Sequence, residues 1–152
     1  MRATIYNLSL ENSRADIIRA FMEGVALNTR WLLRPVEKFI GRSLGTINIV
    51  GGGASSDVWC QMFADVLDRP VRQVKDPIQG NVRGEAFIAS VGMGFISFHD
   101  IPGYMEYRAA YGPRPETRGV YNTHFRKFVN IYKRNRGIFR RLNASRGGTD
   151  ER

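Results

Sequence analysis

The part of this sequence best suited to bind a ligand is a run of three glycines, Gly51–Gly53, that follows a short apolar segment. Ile47, Ile49 and Val50 in that segment are β-branched and apolar, as a mostly buried strand requires. Glycine allows a positive φ and leaves no Cβ between the backbone and a ligand. The pattern therefore predicts a strand that ends in a tight glycine turn.

The residues after the glycines predict that the turn leads directly into a helix. Ser55 or Ser56 can cap the helix, and Asp57 suits its first turn. Such a turn directs backbone N–H groups and the positive end of a helix dipole outward, which favours a phosphate. The candidate binding residues are Gly51, Gly52, Gly53, Ala54, Ser55, Ser56 and Asp57. A strand-to-helix turn without a ligand explains the same residues, since short glycine motifs often arise without function.

The sequence contains no other motif that indicates a phosphate-binding loop, a catalytic group or a metal site. No glycine run continues into Gly-Lys-Ser or Gly-Lys-Thr, and Ser56 stands where a dinucleotide fingerprint needs its third glycine. Cys60 has no histidine or other activating group nearby in the sequence and is interpreted as a core residue. His99 and His124 stand alone, without metal-ligand spacing. The residues alone therefore predict neither a catalytic group nor a metal ligand.

Composition indicates a folded domain with a basic surface. The chain has 152 residues, 43% of them hydrophobic, and a formal net charge of +9. The positive charge is most concentrated at 127–146, which we interpret as a solvated helix face in preference to a nucleic-acid site, because charge alone carries no specificity. A single cysteine, together with the lack of a signal peptide or membrane span, is consistent with a cytoplasmic location.

The spacing of apolar residues predicts three helices around the glycine turn. The first begins after the N-cap Ser13, with Asp16 in its first turn, and is expected to break or kink at Pro35. The second covers roughly 56–67; Asp65 interrupts its apolar face and is expected to hydrogen-bond a neighbouring loop. The third covers about 120–142 and is followed by a polar tail, 143–152.

The segments between these helices predict two further elements. A short strand is expected at 71–74, after Pro70. The segment 84–95 is small and apolar on nearly every side, which predicts a helix buried in the core. Several prolines and glycines at 97–120 predict an irregular excursion. Strand, glycine turn, helix, strand and buried helix together indicate an α/β fold whose sheet is covered by helices.

In combination, these motifs resemble the C-terminal domain of the FGGY family of carbohydrate kinases, especially its xylulose-kinase-like branch. The likeness covers about residues 3–142, and the motifs that carry it are specific as an ordered set: Leu8–Glu11, Arg14–Asp16, Arg19–Ala26, Gly51–Asp57, Gln61, Ala64–Leu67 and Gly84–Ala86. The resemblance implies the sugar-kinase/actin fold, in which two ribonuclease-H-like domains surround an ATP cleft. It also implies transfer of the γ-phosphoryl group of ATP, as its Mg²⁺ complex, to a sugar hydroxyl.

The resemblance further assigns residues in and after the glycine turn. Gly51–Ala54 match the turn that holds the adenosine nucleotide in the family, and Ser55, Ser56 and Asp57 match the residues beyond it, which touch the base or ribose. Glu85 departs from the family, which more often has a small residue there. The family's sugar-binding residues and its aspartate base lie in a preceding N-terminal domain, and no residue in this sequence matches that base.

These departures lead to expectations about the isolated chain. Residues 1–142 are expected to be a partial ribonuclease-H-like domain that lacks its first strands. Sugar would bind only together with an N-terminal domain, so the chain alone is expected to be inactive, because phosphoryl transfer needs both substrates, Mg²⁺ and a base positioned together. An exposed sheet edge would invite self-association. A non-catalytic binding module and a basic nucleic-acid-binding domain remain the alternatives.

Overall fold

The computed structural model of the protein describes residues 4–144, which contain four α-helices and three β-strands. Their bounds are α1 Arg14–Ile40, β1 Ile47–Ile49, α2 Asp57–Leu67, β2 Val71–Val74, α3 Gly80–Gly92, β3 Tyr107–Tyr111 and α4 Arg118–Ala144. Single 3₁₀ turns occupy 52–55, 77–79, 101–104 and 115–117. The predicted polar tail begins at 143, within the last turn of α4, and its residues from 145 onward lie outside the described part.

The three strands form one sheet in the order β1-β2-β3. β1 and β2 are parallel, with α2 as the crossover, and Ile47 lies opposite Val71. β3 runs antiparallel to β2 and places Tyr111 opposite Val71. Within the described residues, β1 is therefore an edge strand whose outer side has no partner.

The start of α1 has the predicted cap. The Asp16 N–H donates to Ser13 Oγ at 3.2 Å, and the Ser13 N–H donates to Asp16 Oδ2 at 2.9 Å. These reciprocal bonds form a capping box, and the bonds from Ser13 lower the pKa of Asp16.

Of the predicted break or kink at Pro35, the break is wrong, because α1 continues through this exposed residue to Ile40, where Gly41 caps it. Tertiary contacts hold the last turns of the helix in place. Glu37 accepts the Leu44 N–H at 2.8 Å and forms an ion pair of 2.7 Å with Arg69, just beyond α2. These bonds offset the backbone hydrogen bond that proline removes.

The core lies where α1, α2 and α4 meet and continues between α2 and the sheet. The first cluster comprises Ala26, Leu27, Met62, Val66 and Tyr121, and the second comprises Ala64, Leu67 and Val71. Cys60 is fully buried, and burial raises the pKa of its thiol, which confirms its interpretation as a core residue. Trp59 Nε1 donates to the Met22 carbonyl at 3.2 Å and ties α2 to α1.

Two further predictions are wrong. The helix predicted to be buried is α3, but none of its residues is buried; Val82 and Ile88 are 69% and 66% exposed. The apolar composition of α3 is as expected, but residues 4–144 supply no layer that covers it. The excursion predicted at 97–120 contains β3, because Tyr107–Tyr111 complete the open side of β2. None of the helices within the same range is long and apolar enough to cross a membrane.

Candidate functional site

The glycine turn lies at the carboxyl end of β1 and leads into α2, as predicted. Gly51 has φ 91° and ψ 179°, a combination that is essentially restricted to glycine. Residues 52–55 make one 3₁₀ turn, and Ser56 Oγ then accepts the Trp59 N–H at 3.3 Å. Ser56, and not Ser55, is therefore the N-cap of α2.

Some N–H groups of the turn are used inside it. The Gly51 N–H donates to the Pro77 carbonyl at 2.7 Å, which fixes the start of the turn against the segment after β2. The Ala54 N–H donates to the Gly51 carbonyl at 3.0 Å, and Ala54 is fully buried. Gly51 and Ala54 therefore shape the turn and have no amide to offer a ligand.

Four other N–H groups face no protein acceptor. Among residues 4–144, none accepts a hydrogen bond from the backbone N–H of Gly52, Gly53, Asp57 or Val58. Gly52 is exposed, and a Cβ placed on it would meet nothing within 4 Å. The N–H groups of Asp57 and Val58 lie in the first turn of α2, where the helix dipole adds positive potential, and those of Gly52 and Gly53 lie in the 3₁₀ turn just before it. This arrangement can accept an anion or the polar edge of a nucleotide.

Asp57 stands beside these amides, and its carboxylate is held from two sides. Gln73 Nε2 donates to Asp57 Oδ1 at 3.1 Å, and Arg108 Nη2 lies 3.4 Å from Asp57 Oδ2. The hydrogen bond from Gln73 and the nearby Tyr111 hydroxyl lower the pKa of Asp57. Its side chain is 57% exposed, so the ionised carboxylate remains accessible to a bound molecule.

Gln73 also contacts the turn and Asp57, and the sequence analysis did not identify it. It lies on β2, fully buried, with its side chain beneath the turn. The sequence offers one weak signal, a polar side chain in a short strand that is otherwise buried at Val71 and Val74. Propensity reasoning cannot identify its partners, because they come from different parts of the chain.

A cavity of about 420 Å³ opens beside the first turn of α2. Its lining combines polar groups from three helices and a loop with two apolar side chains: Arg19, Asp57, Val58, Gln61, Met62, Arg114 and Tyr121. The turn and this cavity together form the candidate site.

The arrangement of N–H groups in the turn suits the polar atoms of a nucleotide. The N–H groups of Gly52 and Gly53 have no acceptor within residues 4–144 and suit the oxygen atoms of a nucleotide. Gly52 is open, whereas Gly53 packs on the ring of Trp59, which would lie 2.7 Å from a Cβ at that position. In residues 4–144, no three His, Cys, Asp or Glu side chains lie close enough together to hold a metal.

Comparison with known proteins gives a consistent result. Residues 1–93 match the model of the C-terminal domain of the FGGY family of carbohydrate kinases. Xylulose kinase from Bacillus subtilis is 29% identical over 150 residues, which is 96% of this chain and 29% of that protein. The solved structure of xylulose kinase from Rhodospirillum rubrum is 31% identical and has a TM-score of 0.73 over 90% of this chain and 28% of its own.

A third comparison concerns the fold alone. The structure of a ligand-bound xylulose kinase from Lactobacillus acidophilus is 20% identical, with a TM-score of 0.73 over 94% of this chain and 29% of its own. These likenesses confirm the predicted α/β fold of the sugar-kinase/actin type. The chain spans less than a third of the length of these relatives. On the strength of its N-terminal 93 residues, it belongs to the FGGY family of carbohydrate kinases and carries the family's C-terminal domain.

Proposed function

We propose that this chain is the nucleotide-binding side of an ATP-dependent carbohydrate kinase. One observation carries the proposal: the N–H groups of Gly52 and Gly53 in the 3₁₀ turn, and of Asp57 and Val58 in the first turn of α2, find no acceptor within residues 4–144. In α/β sheets, ligands bind outside the carboxyl ends of the strands, and this turn follows the carboxyl end of β1. The adenine nucleotide lies along the turn, with its base or ribose next to Ser55, Ser56 and Asp57.

The substrate that receives the phosphoryl group is a sugar or polyol, and a xylulose-like sugar agrees best with the relatives that match most of this chain. The described residues supply the nucleotide side and no candidate for the base that activates the sugar hydroxyl. Phosphoryl transfer depends on positioning the nucleotide, the metal ion and the acceptor together. Sugar therefore binds productively only when a domain equivalent to the remaining length of the relatives is present.

This function is tested by titrating the purified chain with ADP and ATP in a calorimeter, and by a coupled kinase assay with xylulose and glycerol. We expect saturable heat with both nucleotides and no turnover with either acceptor. A folded protein that gives no nucleotide heat would contradict the nucleotide-binding role. Steady sugar-dependent release of ADP would contradict the requirement for a second domain.

Self-association is a second candidate role, and one feature favours it. The outer side of β1 has no strand beside it within the described residues, and Val50 next to it is 48% exposed. Gly80 at the start of α3 lies against Val50, since a Cβ on Gly80 would be 2.9 Å from Val50 Cβ. The free edge and the exposed apolar face of α3 therefore adjoin and form one surface that can pair with a second copy.

Sedimentation velocity at several concentrations tests this surface. We expect dimers at tens of micromolar, and an Ile88→Lys variant that remains monomeric, because a charge in the middle of α3 opposes burial of that face. Ile138→Lys is the control, since Ile138 is also exposed, at 44%, but lies on α4. A wild-type chain that stays monomeric throughout would argue against this role.

A further inference from the structure

A buried amide beneath the glycine turn connects three parts of the site. Gln73 Nε2 donates to the Ala54 carbonyl at 2.7 Å and to Asp57 Oδ1 at 3.1 Å. Gln73 Oε1 accepts from the Tyr111 hydroxyl at 3.2 Å. The side chain of Gln73 has no exposed surface, so water does not replace any of these bonds.

The identities of its neighbours fix the orientation of the amide. Ala54 offers a carbonyl and Asp57 a carboxylate, and both only accept hydrogen bonds, so the nitrogen of Gln73 must face them. The oxygen then faces Tyr111, whose hydroxyl can donate. Every polar atom of the amide is satisfied, which makes the network specific for glutamine in this orientation.

We propose that Gln73 is the positioning residue of the nucleotide site. By holding the Ala54 carbonyl, it fixes the 3₁₀ turn from which Gly52 and Gly53 present their N–H groups. By holding Asp57 Oδ1, it leaves Asp57 Oδ2 at the open side of the site, beside Arg108.

Two of the supporting residues lie beyond the part of the chain that matches the family model, which ends at 93. Tyr111 and Arg108 are on β3, and β3 pairs with the strand that carries Gln73. The segment after the family match is thus part of the support of the turn. The proposal about the shape of the turn stands without a ligand; its effect on nucleotide affinity rests on the proposed function.

Local hydrogen exchange of the Ala54 amide tests the positioning role directly. Ala54 donates within the turn, so its exchange reports opening of the turn. In Gln73→Leu, which removes a buried bond to a charged group and another to a carbonyl, we expect this amide to exchange about 10- to 100-fold faster than in wild type. The Val66 amide, in the middle of α2, serves as the internal reference for global unfolding.

Gln73→Glu supplies a pH-dependent readout that a packing role alone would not produce. The new carboxylate faces the Ala54 carbonyl and Asp57, so its ionised form repels both, whereas its protonated form can still donate one hydrogen bond. Burial and the Asp57 charge raise the pKa of this carboxyl. We therefore expect Ala54 exchange, after correction for the intrinsic pH dependence of exchange, to lie between wild type and Gln73→Leu at about pH 5, where one of the two bonds remains, and to be much faster at about pH 8.

The control is Arg69→Met, which breaks the bonds of Arg69 to Glu37 and to the Leu44 carbonyl at the opposite end of α2. It should leave the exchange of Ala54 unchanged relative to Val66. The proposal is overturned if Gln73→Leu speeds the exchange of the Ala54 and Val66 amides equally, or if Ala54 exchange in Gln73→Glu shows no pH dependence beyond the intrinsic one. Titration with ADP distinguishes the proposed nucleotide function from the positioning role of Gln73. If the wild-type chain does not bind ADP, the nucleotide function is contradicted. If Gln73→Leu binds ADP with wild-type affinity, the positioning role is contradicted.

Discussion

The Gly51→Ala variant is expected to bind ADP at least about tenfold more weakly than the wild-type chain. Gly51 has φ 91° and ψ 179°, and holding alanine there costs about 1–3 kcal/mol of backbone strain. A Cβ on Gly51 would meet nothing within 4 Å, so the cost comes from the dihedral angles and not from a clash. The chain relieves this strain by rotating Gly51, which moves the N–H groups of Gly52 and Gly53. At about 1.4 kcal/mol per factor of ten, calorimetry with ADP resolves the change.

Gly41→Ala is the matched control. Gly41 also has a positive φ, 70°, and also has open space around its Cβ position, but it ends α1 and takes no part in the turn. Both variants should lower the urea midpoint of unfolding, because both strain the backbone. Only Gly51→Ala should weaken ADP binding. Equal affinities in the two variants would show that the conformation of Gly51 is irrelevant to the nucleotide.

The Asp65→Ala variant is expected to lose about 3 kcal/mol of folding stability, several times the loss expected from breaking one of the exposed ion pairs. The Asp65 side chain is fully buried. Its carboxylate accepts Arg114 Nη2 at 2.6 Å, the Arg114 backbone N–H at 2.9 Å and Gln61 Nε2 at 3.0 Å. Alanine removes the carboxylate that accepts all these hydrogen bonds and leaves a cavity beside α2. The guanidinium of Arg114 is half-exposed and can turn to water, which limits the cost.

Urea unfolding followed by circular dichroism measures this loss, and a fall of more than about 1 M in the midpoint is expected. Arg118→Met is the comparison, since it removes the exposed ion pair of 2.7 Å between Arg118 and Asp68. Pairs of that kind contribute at most about 1 kcal/mol. An Asp65→Ala variant no less stable than Arg118→Met would show that the buried carboxylate does not anchor the loop at Arg114.

Local sequence signals predicted those parts of the fold whose causes lie within a few residues. Ser13 is the N-cap of α1 as expected, with Asp16 completing a capping box, and of the two candidate caps of α2, Ser55 and Ser56, the structure uses Ser56. The prediction that Asp65 bonds a neighbouring loop is confirmed by its bond to the Arg114 N–H. In each case a hydrogen-bonding side chain stands at a position that shows its role, either at the start of a helix or within an otherwise apolar helix face.

Parts of the fold determined by distant contacts were not predictable in this way. α1 continues through Pro35, and Glu37 in the next turn is held by Arg69, 32 residues further along the chain. α3 is exposed because burial depends on what lies against a helix as well as on its composition. Tyr107–Tyr111 form a strand because β2 offers them an open side.

The candidate site likewise has a part that was predictable from local sequence and a part that depends on distant contacts. Its glycines were found from the sequence, because their conformational freedom and their position after an apolar strand are local properties. The roles of individual amides were not, since they depend on Pro77 and on the geometry of the turn. Gln73 and Tyr111 meet beneath the turn from two strands 38 residues apart, and spacing in the sequence does not reveal that contact.

The bare apolar side of α3 also affects how the molecule can be handled. Dyes that fluoresce on contact with hydrophobic surfaces will bind the native protein and mask its thermal unfolding transition. Intrinsic fluorescence avoids this difficulty, because the two indole rings lie in packed surroundings. Trp31 packs edge-on against Phe128 and Tyr132 of α4, and Trp59 stacks on Phe63 while hydrogen-bonding α1. Their emission will therefore follow loss of helix packing without an added reagent.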